Sequence, residues 1–223
     1  MSRKTIPYLI LILFLGIFLS GCSASIVQVQ KDRLVSSKPP FNLILPVEFK
    51  LMNSFENQGD SSVTRAYIYI REKDKRVEEM LILQIAGRTD PKAESMTAPP
   101  LKPYGEETTY GMDKIKKGDL EIDYLIQSMV WNPMAPSLQP IIQQGLLIPS
   151  VMAIQGQIQF IYQKEYTISF RYSKDANSFG LKVSGDSKKW NKDSISGNEK
   201  QALEIFKETF MKMMESIKTG SPS

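Results

Sequence analysis

Gln157-Ile-Gln-Phe-Ile-Tyr-Gln-Lys-Glu-Tyr-Thr-Ile-Ser-Phe-Arg-Tyr172 is the stretch that decides the fold. Apolar residues occupy every second position from 158 to 162 and again from 166 to 172, on either side of Lys164-Glu165. A period of two places these side chains on one face of a strand. The stretch therefore predicts two antiparallel strands joined by a short turn, with one buried face.

Further strands are predicted on both sides of this hairpin. The stretches with strand-like patterns are residues 41–51, bent around Pro46, and residues 63–71, 77–86 and 120–130. The charged segment 72–76 between two of them predicts a second hairpin. Residues 89–110 are rich in proline and predict an exposed loop. Residues 132–149 also contain prolines but are unusually apolar for a connection.

The C-terminal region predicts an amphipathic helix over residues 198–218. Ser196-Gly-Asn-Glu199 fits a capping box, with Asn198 as an alternative N-cap. Apolar residues recur at helical spacing along it: Ala202, Ile205, Phe206, Phe210, Met213, Met214 and Ile217. Such a stripe packs against another element. The chain therefore predicts an α+β fold, a mostly antiparallel sheet of about six strands packed by this helix.

The N-terminus has the pattern of a secretion signal, with basic Arg3 and Lys4, an apolar run over 9–19 and small residues before Cys22. The run is shorter than the roughly 20 residues of a transmembrane helix. Leu19-Ser20-Gly21-Cys22 resembles the lipobox of bacterial lipoproteins. That resemblance implies removal of residues 1–21 and attachment of fatty acids such as palmitate to Cys22. Cys22 is the only cysteine, so acylation explains it better than a disulfide does.

The mature chain is predicted to consist of a tether and one domain. Residues 22–40 are polar, end in Lys38-Pro39-Pro40 and predict a lipid-anchored flexible tether that spans about 20–25 Å. Residues 41–220 predict a single α+β domain of ordinary size. Ser23 is not the aspartate that the lipoprotein resemblance links to inner-membrane retention. We therefore expect outer-membrane attachment facing the periplasm, with a Gram-positive cell surface as the alternative.

Composition argues against several classes of function. The chain has no histidine, which removes the commonest general base and metal ligand. No serine-nucleophile motif is present, and Gly180-Leu-Lys-Val-Ser-Gly-Asp-Ser187 has Asp186 where a phosphate-binding loop needs lysine. Without its signal the chain carries 26 basic against 24 acidic residues, interspersed along the sequence. We expect no enzymatic activity, no metal or cofactor, and no nucleic-acid partner.

A protein partner in the cell envelope is the favoured interpretation. The apolar part of residues 132–149 is the candidate partner surface, carried by Leu138, Ile141, Ile142, Leu146 and Leu147. Burial of this segment against the domain's own sheet is the alternative. The expected function is thus non-enzymatic binding or assembly at the membrane. A carrier or chaperone for an apolar ligand or lipid, with a pocket between sheet and helix, is the second interpretation.

The order of elements over residues 41–218 is similar to that of the PsbP-like fold of photosystem extrinsic proteins and bacterial envelope lipoproteins. The similarity comes from the early strand of Phe41 to Leu45 before Pro46, the strand pairs in the middle, and the last helix after a hairpin. Two features depart from that pattern: no tryptophan directly follows Pro46, and the proline-rich middle is long. The resemblance implies a scaffold with binding and assembly roles.

Overall fold

The computed structural model describes residues 26–195 and 197–220, which form two antiparallel sheets and a long helix. The strands are β1 (Val27–Gln30), β2 (Arg33–Ser37), β3 (Pro40–Ile44), β4 (Lys50–Gln58), β5 (Ser62–Lys73), β6 (Arg76–Arg88), β7 (Thr109–Lys117), β8 (Leu120–Val130), β9 (Met152–Tyr162), β10 (Tyr166–Asp175) and β11 (Lys218–Thr219). The helices are α1 (Gln139–Gln143) and α2 (Gly197–Glu215). None of the helices in these residues is long and apolar enough to cross a membrane.

The α+β prediction is confirmed, but the sheet is larger than expected. The larger sheet has seven strands in the order β4-β5-β6-β10-β9-β8-β7, and the smaller has four in the order β1-β2-β3-β11. The two predicted hairpins are present as β5–β6 and β9–β10, and they meet through the pairing of β6 with β10. Hairpins thus build the centre of the larger sheet.

The larger sheet has two different faces. Phe170 in β10 pairs with Leu83 in β6 and with Ile158 in β9, and all three side chains are fully buried on one face. Because α2 packs over this face, we call it the helix face. The opposite face carries Arg171 and its neighbour Gln157, and we call it the back face.

Helix α2 packs against the helix face through its apolar stripe. Its buried side chains are Ala202, Leu203, Phe206, Phe210, Met213 and Met214. The ring of Phe206 stacks on Tyr172 at 5.2 Å and on Phe210 at 6.0 Å between centroids. Phe210 also lies against Gly156 of β9, where an added Cβ would overlap three ring atoms, the farthest at 2.7 Å. Glycine at 156 therefore lets the helix and the sheet pack in direct contact.

The ends of α2 differ from the prediction. The helix stops at Glu215 because Ser216 Oγ donates to the carbonyl of Met213 at 2.6 Å and accepts from the amide of Ile44 at 2.8 Å. At the other end, the carboxylate of Glu199 accepts from the amide of Ser184 at 2.7 Å. Glu199 thus fixes the preceding loop, where the sequence predicts a capping box. Ser196 lies outside the described residues, and Ile205 is 42% exposed at the border of the stripe.

The segment predicted as a flexible tether belongs to the fold from residue 26 onward. β1, β2 and β3 pair in register, and Val27 and Leu34 are fully buried in the main core. The short strands alternate buried and exposed positions, a pattern that the polar composition hides. The predicted boundary at residue 41 is therefore wrong, and the folded domain already includes Ile26.

The predicted strand over residues 41–51 is divided between the two sheets. β3 ends at Ile44, and β4 begins at Lys50 after a connection that contains Pro46. Proline has no amide hydrogen to donate to a sheet, so the chain leaves the smaller sheet here. Phe49 packs edge-on against Tyr172 at 6.3 Å and holds this connection on the core.

The back face is covered by two connections. The apolar segment 131–149 covers one end, and Trp131 Nε1 donates to Ser173 Oγ at 3.1 Å. The proline-rich segment 89–105 crosses the other end, and we call it the strap. Gln159 Nε2 donates to the carbonyl of Pro99 at 2.6 Å, and Thr167 Oγ1 donates to the carbonyl of Thr97 at 3.1 Å. The strap is mostly exposed, as predicted, but its backbone is fixed to the sheet.

Candidate functional site

The predicted partner surface over residues 138–147 is mostly part of the protein interior. Leu138 and Ile141 are buried in the second core, and Ile142 and Leu146 pack against it half-buried. Only Leu147 is strongly exposed, at 58%. The segment is apolar because it covers the back face. Its burial does not support a continuous docking surface over these residues.

The exposed apolar feature that the structure shows instead is β4, at the edge of the larger sheet. Among the described residues, β4 pairs only with β5, so its outer side faces solvent. Leu51 and Phe55 are each 43% exposed. Leu51 pairs with Tyr69 on the helix face, whereas Phe55 pairs with Ala66 on the back face. The strand thus offers backbone groups along its edge and one apolar side chain on each face.

The two edges of the larger sheet differ in charge. β4 carries only Lys50 and Glu56, whereas β7 carries Asp113, Lys114, Lys116 and Lys117. Charged side chains on an edge strand discourage pairing with another chain. A bulge between Leu51 and Asn53, with Gln144 Nε2 3.4 Å from the carbonyl of Met52, protects only the first part of β4. Residues 53–58 are therefore the more open part of this edge.

The neighbouring strand gives the open part of β4 a rigid support. Arg65 Nε in β5 donates to Glu56 Oε2 at 2.7 Å, which ties the two strands together. Tyr67 of β5 is buried on the helix face, and this burial raises the pKa of its hydroxyl despite the opposing effect of Arg65. The phenol stays neutral, so the charged groups along residues 53–58 and the β5 residues opposite them are the paired Glu56 and Arg65.

Tyr69 of β5 pairs with Leu51 of β4 and has a buried hydroxyl without a partner among the described residues. An unsatisfied buried polar group costs about 1–3 kcal/mol, so we expect Tyr69→Phe to raise the free energy of unfolding at pH 7 by about 1 kcal/mol. Burial raises the pKa of Tyr69 above its ordinary value near 10. As the pH rises above 10, the phenol of the unfolded chain loses its proton while the buried phenol keeps it, so the unchanged protein loses stability. Phenylalanine does not titrate, so the variant should lose less stability there.

Urea unfolding at pH 7 and above pH 10 measures both effects. Tyr172→Phe is the matched control at pH 7, because the hydroxyl of Tyr172 donates to Glu79 Oε2 at 2.7 Å. That variant should lose stability where Tyr69→Phe gains it. A loss in both variants at pH 7 would contradict the assignment of an unpartnered hydroxyl at Tyr69.

A cleft of about 930 Å³ lies at one end of the larger sheet. The hairpin turns at Gly118 and at Gln163-Lys164 border it, together with Thr219 of β11 and Thr97 of the strap. We call this region the cleft end of the domain. Its charges are mixed: basic Lys114, Lys117 and Lys164 face acidic Asp119, Glu121 and Asp123.

Part of this charge is neutralised within the cleft. Lys114 Nζ lies 2.6 Å from Glu121 and 3.3 Å from Asp123. The hydrogen bond with Glu121 is the main cause of the raised pKa of Lys114, and it lowers the pKa of Glu121. Glu121 and Asp123 of β8 thus both belong to an ion-pair network with Lys114, and this geometry indicates a structural role.

The glycine-rich stretch 180–187 serves as a turn before α2. Gly180 has a φ of 71°, which closes the 3-10 turn Ala176–Phe179. Asp186 accepts from the amide of Lys188 at 3.0 Å and caps the next 3-10 turn.

No family model, curated protein or solved structure matches this chain. The lipobox at Cys22 lies outside the described residues and, like the PsbP-like resemblance, stays a prediction.

Proposed function

We propose that this protein is a lipid-anchored component of the bacterial cell envelope that binds a protein partner by adding a strand of the partner to β4. The open edge of β4, with Leu51 and Phe55 exposed on opposite faces, is the observation that carries the proposal. Leu19-Ser20-Gly21-Cys22 supports the anchor. The proposed role is non-enzymatic, at an outer membrane facing the periplasm or at a Gram-positive surface.

Strand addition suits this edge because an extended peptide satisfies the unpaired amide and carbonyl groups along it. Backbone hydrogen bonds supply affinity, while side chains on alternate faces supply specificity. On β4 these contacts are available at Leu51 on the helix face and at Phe55 on the back face. An extended partner segment with apolar residues on both faces therefore fits this edge.

The packing favours a binding scaffold over a carrier of apolar ligands. A carrier requires a cavity of about 300–1,000 Å³ for its ligand. Between sheet and helix, the predicted place for it, Phe210 contacts Gly156 directly and the rings of Phe206 and Tyr172 stack at 5.2 Å. These contacts fill the middle of that interface.

We expect Phe55→Lys to reduce partner capture at least about tenfold, because a buried aromatic anchor contributes about 2 kcal/mol or more to an interface. The added charge also makes β4 resemble the protected edge β7. Capture is measured by crosslinking the intact acylated protein in its own envelope, purifying it, and quantifying the crosslinked proteins by mass spectrometry.

Met112→Lys is the matched control, because Met112 is 52% exposed on the opposite edge strand β7. Its capture pattern should equal that of the unchanged protein. Equal capture by Phe55→Lys would refute strand addition at β4. Cys22→Ala tests the anchor separately: the variant should leave the membrane fraction, and retention there would refute acylation at Cys22 as the attachment.

A further inference from the structure

The bilayer lies close to the first residues of the fold if Cys22 is acylated. We propose that the cleft end of the domain faces the bilayer and that its lysines contact anionic lipid headgroups; this inference rests on the proposed lipid anchor. Only Ser23, Ala24 and Ser25 separate Cys22 from Ile26. Four Cα–Cα steps reach at most about 14 Å, whatever the conformation of these residues. The domain therefore rests on the membrane surface instead of standing away from it.

The register of the smaller sheet indicates which end of the domain lies near the anchor. Val27 pairs with Ser36, Ser36 with Phe41, and Phe41 with Thr219, so these four residues form one row across the sheet. Three strand spacings give about 14 Å between Val27 and Thr219. Thr219 lines the cleft. The anchor-proximal strand is therefore next to the cleft end.

Core contacts place the same row over the end of the larger sheet. Phe41 packs edge-on against Phe160 at 6.4 Å and against Phe170 at 5.7 Å. Phe160 belongs to the last part of β9, just before the turn at Gln163-Lys164. The opposite end of the larger sheet, at the turn Asp74-Lys75, is about 30 Å away along β10. Only one end of the sheet is thus within reach of the anchor.

The charges at the near end suit an anionic surface. Lys38, Lys164 and Lys218 are exposed and form no ion pair within residues 26–195 and 197–220. Lys38 lies in the turn between β2 and β3, and Lys218 precedes Thr219. In the cleft, Glu121 and Asp123 are already paired with Lys114, which leaves Asp119 as the opposing acidic side chain. Lysines near an anionic bilayer are attracted to it over about 8–10 Å.

The test uses the full-length acylated protein in vesicles of equal parts phosphatidylcholine and phosphatidylglycerol. A fluorophore is attached to Lys164→Cys at the cleft end or to Lys75→Cys at the opposite end, since acylation consumes the thiol of Cys22. A quencher on the lipid headgroups reports proximity to the bilayer. We expect several-fold stronger quenching at position 164 than at position 75. Equal quenching at both positions, or stronger quenching at 75, overturns the proposed orientation.

The charge contribution is tested with Lys38→Glu, Lys164→Glu and Lys218→Glu combined, followed by a label at Thr97→Cys, an exposed position that also lines the cleft. We expect quenching there to fall severalfold in the mixed vesicles. The matched control combines Lys50→Glu, Lys73→Glu and Lys75→Glu at the opposite end of the larger sheet, and it should leave quenching unchanged. Equal effects of the two sets overturn headgroup contact by these lysines. A protein that does not float with vesicles refutes the anchor itself, a result separate from either orientation outcome.

Discussion

Glu79→Ala is expected to lower the free energy of unfolding by about 3–5 kcal/mol, as removal of one member of a buried ion pair does. The carboxylate of Glu79 is fully buried, 2.7 Å from Arg71 Nη1 and 3.2 Å from Lys174 Nζ. It also accepts the hydroxyl of Tyr172 at 2.7 Å. Burial and the neighbouring Glu79 raise the pKa of Tyr172 well above its ordinary value, so its hydroxyl keeps the proton that it donates.

The loss has two physical sources. Lys174 is only 19% exposed in this cluster, so its ammonium would remain largely buried without its counter-charge. The hydroxyl of Tyr172 would lose its acceptor at a site that is 1% exposed. Each of these groups was solvated in the unfolded chain, and neither recovers its water in the folded variant.

Urea unfolding followed by the fluorescence of Trp131 and Trp190, both buried, measures this loss. Glu79→Gln keeps an oxygen acceptor for Tyr172 and should lose less stability than Glu79→Ala. Glu78→Ala is the neighbouring control: Glu78 lies 3.9 Å from Arg71, a distance at which an ion pair contributes about 0–1 kcal/mol. If Glu79→Ala cost no more than Glu78→Ala, the buried cluster would not be a stabilising element.

Gly156→Ala is the second large effect, with an expected loss of about 1–3 kcal/mol from overpacking. The added methyl group would overlap the ring of Phe210, which is itself fully buried and stacked on Phe206. A buried and stacked ring moves aside only by disturbing its neighbours, so we expect the helix or the strand to shift. The same urea titration measures the change.

A double-mutant cycle separates the overlap from other effects of alanine at this position. In a Phe210→Leu background, Gly156→Ala should cost much less, because the ring that it overlaps is absent. Gly185→Ala is the matched control, since a Cβ there meets nothing within 4 Å and its φ is not positive. Equal costs of Gly156→Ala with and without the Phe210 ring would show that the contact is not the cause.

The sequence predicts the centre of the fold better than its borders. β5, β6, β9 and β10 are buried on one or both faces, so their apolar runs or alternation give a strong strand pattern. Edge strands and the strands of the smaller sheet are less buried. β4 exposes all but two of its residues, and three of the nine residues of β7 are lysines. β1 and β2 are short, and their glutamines, their serines and Arg33 give them a polar composition typical of a linker. The alternation of buried and exposed positions in β1 and β2 is recognised only in the folded structure, where Val27 and Leu34 pack into the main core.

The candidate site could not be predicted because an edge is a property of topology. Leu51 and Phe55 are ordinary strand residues in the sequence, and nothing local shows that β4 pairs on one side only. The apolar segment with Leu138 and Ile141 is predicted to be a partner surface, but these side chains cover the protein's own back face. Exposure of an apolar segment is decided by distant residues, which a single sequence does not place.

The smaller sheet has a consequence for the order in which the protein is completed. β11 pairs with β3, so that Lys218 lies opposite Asn42, and Ser216 bonds the amide of Ile44 across 172 positions of sequence. The outer side of β3 therefore stays unpaired until β11 has been synthesised, while the hairpins, including β1–β2 and β2–β3, can form earlier from local contacts. In a chain that emerges from the ribosome or a translocation pore, the smaller sheet therefore gains its fourth strand only after α2 has been delivered.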